Sequence, residues 1–136
     1  MKQSESIKNL TEAFNKAQAE MSAAGKSSKN PYFKSNYADL NSVIDAVKEP
    51  LNNNGLSFMQ HPISSERCIG VCTRITHSSG EWIEESVLFP LTKADPQAAG
   101  SLITYARRYA LQAICGIPAV DDDGNLASGR NENNRM

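Results

Sequence analysis

Five side chains able to donate hydrogen bonds recur at helical spacing late in the chain: Gln97, Ser101, Thr104, Arg108 and Gln112. At about 100° per residue they share one arc about 80° wide. The arc consists of amides, hydroxyls and a single guanidinium, a set suited to the oxygens of a phosphodiester backbone. No carboxylate lies between Asp95 and Asp121 to oppose it. The positive end of a helix starting at Asp95 adds to the attraction. Arg107 is a second cation in the same run but falls off the arc. The plainer alternative is that Arg107 and Arg108 are solvated surface arginines, the usual fate of charged residues.

The element that carries this arc has well-marked ends. Asp95 is a helix N-cap, and Pro96 fits the first turn, where no N–H is needed. Gly116 supplies a left-handed cap and Pro118 prevents continuation. Ala98, Leu102, Tyr105, Ala106, Tyr109 and Ala113 form a separate apolar stripe, expected to be the buried side.

A second group of candidates lies between Gly25 and Asn36, which reads as a loop rich in turn-forming residues. Lys26, Lys29 and Lys34 are interleaved there with Tyr32, Phe33 and nearby Tyr37. Cations neutralise phosphates while aromatic faces stack on unpaired bases. Phe33 and Tyr37 read at least as well as anchors of the loop to the core. Arg74, in a strand-like run, joins the candidate DNA-binding residues.

Several motifs carry a resemblance. Gly100-Ser101, Thr104-Tyr105-Ala106-Arg107-Arg108-Tyr109-Ala110-Leu111 and the acidic Asp121-Asp122-Asp123-Gly124-Asn125 resemble the signature of the ERF family of phage recombination proteins. Tyr37-Ala38-Asp39-Leu40, Pro50-Leu51, Gly55-Leu56, Thr73-Arg74-Ile75-Thr76-His77 and Gly80-Glu81 are similar to that family's other landmarks, in the expected order. The resemblance implies a single-strand annealing protein that coats single-stranded DNA and pairs complementary strands without nucleotide hydrolysis. It also implies homo-oligomeric rings or filaments, a Rad52-like annealing fold, and collaboration with a phage exonuclease or a host single-strand-binding protein. Longer members continue into a separate C-terminal region, so a function housed there is expected to be missing from a chain ending at Met136.

Other chemistries fare poorly. Cys68, Cys72, Cys115, His61 and His77 show neither the CxxC nor the HxxxH spacing of a zinc site. Extended chain would hold Cys68 and Cys72 about 13 Å apart, too far for a disulfide. Asp121, Asp123, Asn125 and Glu132 fall on EF-hand positions, but Leu126 stands where the loop needs glycine. The acidic run reads instead as a charged helix-end turn or as a patch meeting the basic surface of a neighbouring protomer. Gly25-Lys26-Ser27 lacks the earlier glycine of a phosphate-binding loop and follows a helix. No Ser/His/Asp set is indicated. The reading is a binding protein, not an enzyme, with no cofactor, no metal and no catalytic residue. A plain single-strand protector, and less so a metal-dependent nuclease, are the rivals.

Composition is compatible with this reading but does not select it. The 136 residues suit one domain, with 40% hydrophobic and 21% charged residues. Fourteen basic against fifteen acidic residues give a net charge of −1, which runs against the basic excess usual in nucleic-acid binders. Removing Asp121–Asp123 leaves a body near charge balance, so any attraction must come from local clustering of cations. No apolar run is long enough to cross a bilayer and the polar start lacks a signal-peptide core, so a cytoplasmic location is expected, which the resemblance to phage proteins implies is that of a bacterial host.

The remaining elements must position these groups. Ile7, Leu10, Phe14, Ala17, Met21 and Ala24 mark an amphipathic first helix, and Leu40, Val43, Ile44, Val47 and Leu51 a second one over 38–53, ended by Gly55. Strand-like runs follow at 56–62, 67–77 and 81–89, the last two joined through Ser78-Ser79-Gly80 as a hairpin. The expected fold is α+β: an antiparallel three-stranded sheet with helices packed on one face. Residues 1–120 are expected to form the single annealing domain, and 121–136 an acidic motif with a flexible tail.

Overall fold

Each helix starts where a carboxylate takes up its free N–H groups. The computed structural model, which describes residues 1–21 and 39–118, places α1 at Lys8–Glu20, α2 at Leu40–Asn53 and α3 at Pro96–Cys115. Asp39 accepts from the Ser42 N–H at 2.8 Å and Asp95 from the Ala98 N–H at 2.7 Å, the expected capping geometry. Helix α1 has only Ile7 at its N-cap and no local side-chain cap. Glu81, from the turn of a distant hairpin, supplies one: it accepts from the Leu10 N–H at 2.7 Å and from Asn9 Nδ2 at 3.1 Å. This gives the Gly80-Glu81 landmark a structural role. Glu81→Ala is expected to lower the unfolding free energy by about 1–2 kcal/mol, measurable by urea titration.

The strands are β1 (Lys2–Gln3), β2 (Leu56–Ser65), β3 (Cys68–His77) and β4 (Trp82–Pro90). They form an antiparallel sheet in the order β1-β4-β3-β2. The expected three-stranded sheet is therefore corrected to one of four strands among the described residues. Two residues leave no periodicity to read; β1 exists because Lys2 and Gln3 pair with Glu84 and Ile83, held by bonds between Ser4 and Trp82. Strand β2 runs past its expected end, through Pro62 to Ser65. Proline is tolerated there because β2 is an edge strand.

The pleat separates two faces of β3. Val71, Thr73 and Ile75 point toward the helices and are buried, while Arg74 alternates to the other face, where Met59 and Leu88 are exposed. The main core joins Leu10 and Ala17 of α1, Val43, Val47 and Leu51 of α2, Leu56 and Ile75 of the sheet, and Leu111 and Cys115 of α3. A smaller cluster places Ala106 and Ala110 of α3 on Val71, flanked by Val87, Phe89 and Ile103. Alanine at both contacts lets the helix approach the sheet closely.

The end of α3 is fixed from α1. Gly116 takes the left-handed conformation, φ 69°, and Gln18 Nε2 donates to the Cys115 carbonyl at 2.8 Å. Burial pushes the Cys115 thiol up to about 12, leaving it protonated and inert at neutral pH. The first helix ends at Glu20, with Met21 already extended; Ala24, which continues its apolar pattern, lies outside the described residues.

Candidate functional site

Helix α3 presents the candidate arc to solvent. Gln97, Ser101 and Thr104 are exposed, and Arg108 and Gln112 half-buried. Among the described residues neither Arg107 nor Arg108 is in an ion pair. The Asp95 carboxylate occupies the helix start, so attraction for an anion rests on the side-chain donors further along and not on the macrodipole, which fades within the first turn.

The expected buried side is wrong in part. Residues facing the core are Ile103, Ala106, Ala110, Leu111 and Cys115, a line turned about a third of a revolution from the predicted stripe. Tyr105 and Tyr109 are 44% and 49% exposed, and Ala113 is exposed as well. Small residues account for the difference: Ala106 and Ala110 bring the backbone against β3, which leaves no room for phenol rings on that line.

The tyrosines instead extend the outward face. Their rings stack at 5.7 Å between centroids with planes 21° apart. Phe89, near the end of β4, meets both edge-on, at 5.3 Å for Tyr105 and 5.6 Å for Tyr109. The Arg108 guanidinium carbon lies 5.3 Å from the Tyr105 ring centre, within cation–π range. One face of the helix thus carries hydroxyl and amide donors, a guanidinium and two parallel rings. Helical spacing assigns Tyr105 and Tyr109 to the buried stripe, and it does not single out Phe89. The available signal was the i, i+4 tyrosine pair bordering the donor arc, since each phenol has a polar tip suited to a wet boundary.

Arg107 has a different setting. Its Nε donates to Gln60 Oε1 at 3.3 Å, while Gln60 Nε2 donates to the Arg107 carbonyl at 3.1 Å and to the buried Thr73 hydroxyl at 2.8 Å. Gln60 therefore ties α3 to edge strand β2, and Arg107 stands on that seam, apart from Arg108.

Arg74 is not brought to α3. It lies on the opposite face of the sheet, bonded to Glu84 Oε1 at 2.9 Å through Nε and 2.8 Å through Nη2, with its guanidinium carbon 3.9 Å from the Trp82 ring centre. The hydrogen bond from Arg74 holds the Glu84 carboxyl below its ordinary value. A carboxylate with a depressed folded-state pKa adds stability above its unfolded value, and that contribution is lost as pH falls through the folded one. Acidification across this range should therefore destabilise the protein less steeply in Glu84→Gln than in the parent, as thermal melts at a series of pH values will show.

Lys26, Lys29, Lys34 and Tyr32 lie outside the described residues, as does the Asp121–Asp123 motif. Among the described residues no group of histidine, cysteine and acidic side chains is arranged to hold a metal, and no helix is long and apolar enough to cross a membrane.

No curated protein and no solved structure is significantly similar to the chain. One family model does match, that of the ERF superfamily, and it runs over residues 10–136. That span takes in α1 from Leu10 onward, the Glu81 cap, Gln60 and the whole of α3; the chain belongs to the ERF superfamily.

Proposed function

We propose that this protein binds single-stranded DNA along the outward face of α3 and promotes the pairing of complementary strands in phage-type recombination, without nucleotide hydrolysis. The observation that carries the reading is the exposure of Ser101 and Thr104 beside a guanidinium with no ion-pair partner among the described residues, on a helix without a carboxylate after its cap. Membership of the ERF superfamily supports it. Annealing requires that two strands stop repelling each other while their base edges stay free. Contacts to the backbone achieve this without sequence preference. Ser101, Thr104 and Arg108 hold phosphates in this reading, and Lys26, Lys29 and Lys34 add longer-range attraction.

The same reading makes the protein a binder without covalent chemistry, acting in the cytoplasm of a bacterial host as a homo-oligomeric ring or filament. Its collaborators are a phage exonuclease or a host single-strand-binding protein. Helices gathered on one face of an antiparallel sheet are in keeping with a Rad52-like annealing fold, with residues 1–120 as the annealing domain. The test is to mix complementary labelled oligonucleotides and follow duplex formation. Acceleration without ATP is the expected result; slower pairing identifies a protector, and shortening of the labelled DNA with Mg²⁺ identifies a nuclease.

A further inference from the structure

We infer that Tyr105, Tyr109 and Phe89 form a stacking platform for the unpaired bases of the bound strand, set beside the phosphate donors of the same helix. This rests on the single-strand binding proposed above and assigns the bases a place on the protein.

Three observations carry it. Two large rings stand about half exposed and nearly parallel on the outer surface of α3. Single exposed apolar side chains need no explanation, but adjoining ones mark a binding surface. The rings are also held in position: Phe89 wedges against both edges and itself packs on the cluster of Val71, Ala106 and Ala110. A base that lands there meets a preorganised surface and orders little on arrival. Third, the guanidinium of Arg108 lies over the Tyr105 ring, and Thr104 and Ser101 precede that tyrosine by one and four residues along the helix.

An occupant must therefore offer flat aromatic groups and anionic oxygens together. Single-stranded nucleic acid offers both, because every base has a π-face and every nucleotide a phosphate. A duplex does not, since its bases are already stacked on each other. The apolar surface of a second copy would leave the arginine and hydroxyl donors unused.

The experiment compares an oligothymidylate with an abasic strand of the same length, which keeps the phosphates and removes the bases. The parent protein should bind the base-bearing strand about tenfold or more tightly than the abasic one. Tyr105→Leu with Tyr109→Leu should reduce binding of the former to the abasic level, leaving the slope of log affinity against log salt unchanged because no phosphate contact is lost. Tyr105→Phe with Tyr109→Phe keeps the rings and should keep the preference. Circular dichroism melts check that the variants fold, which half-exposed positions permit. Equal affinity of the parent for both strands overturns the platform, as does a folded leucine variant that still prefers bases. A leucine variant that keeps the preference while its mass by light scattering falls to that of a smaller assembly also overturns it, by showing that the rings face another copy. Absence of any binding by the parent sinks the single-strand reading itself, so the two failures are distinguishable.

Discussion

Gly70→Ala is expected to destabilise the protein by about 3 kcal/mol or more, read as a lower urea midpoint at constant slope. A Cβ at this position would lie 1.8 Å from the Val87 carbonyl oxygen, 2.8 Å from its carbon and 2.9 Å from the Leu88 Cα. All three atoms are backbone of β4, so no rotamer change relieves the overlap. Strand β4 must instead move off β3 around the Gly70–Leu88 pair, loosening ladder bonds between two central strands. The neighbouring Val87 and Phe89 pack under α3, and the displacement reaches the aromatic row through them. A midpoint equal to that of the parent would show that the two strands are further apart at this pair than described.

Of the single substitutions, Arg108→Ala has the largest expected effect on binding. Loss of one charge-assisted contact to phosphate should reduce single-strand affinity about tenfold and lower the magnitude of the salt slope by about 0.7. The fold should persist, because the only aromatic contact made by this guanidinium among the described residues is with the half-exposed Tyr105. Arg107→Ala provides the contrast: it breaks the link to Gln60 at the seam with β2, so its effect should fall more on stability than on the salt slope. Unchanged affinity in a folded Arg108→Ala protein removes this residue from the site.

Much of the architecture could be read from residues with strong local preferences. Asp95 caps the helix expected from it, Gly116 ends α3, and Ser78-Ser79-Gly80 joins two strands, whereas Asp39 caps α2 where the helix was expected to have begun already at 38. These are decisions made within a few residues, where side-chain chemistry dominates. The side of α3 that is buried was not legible in the same way. A helical wheel weighs tyrosine as apolar and alanine as weak, whereas the observed packing selects Ala106 and Ala110 because closeness to β3 matters more than side-chain size. Strand β1 and the Glu81 cap depend on partners far away in sequence, so no local pattern announces them. Of the candidate site, the donor arc was legible because its polar types had nothing to gain from burial. Arg74 was not separable from it, since only the pleat decides that it faces Glu84 and Trp82 on the other side of the sheet.

The remote cap on α1 has a consequence for the order in which the molecule assembles. Strands β2, β3 and β4 follow one another through short turns, so their contacts close small loops and are reached early. The segment from Ser4 to Leu10 meets its partners Trp82 and Glu81 only across separations of 78 and 71 residues. It has to wait until the β3–β4 hairpin exists before its first helical turn finds an acceptor. Docking of the N-terminal helix is thereby tied to that hairpin, and a local opening of the turn at Glu81 removes the cap from the helix as well.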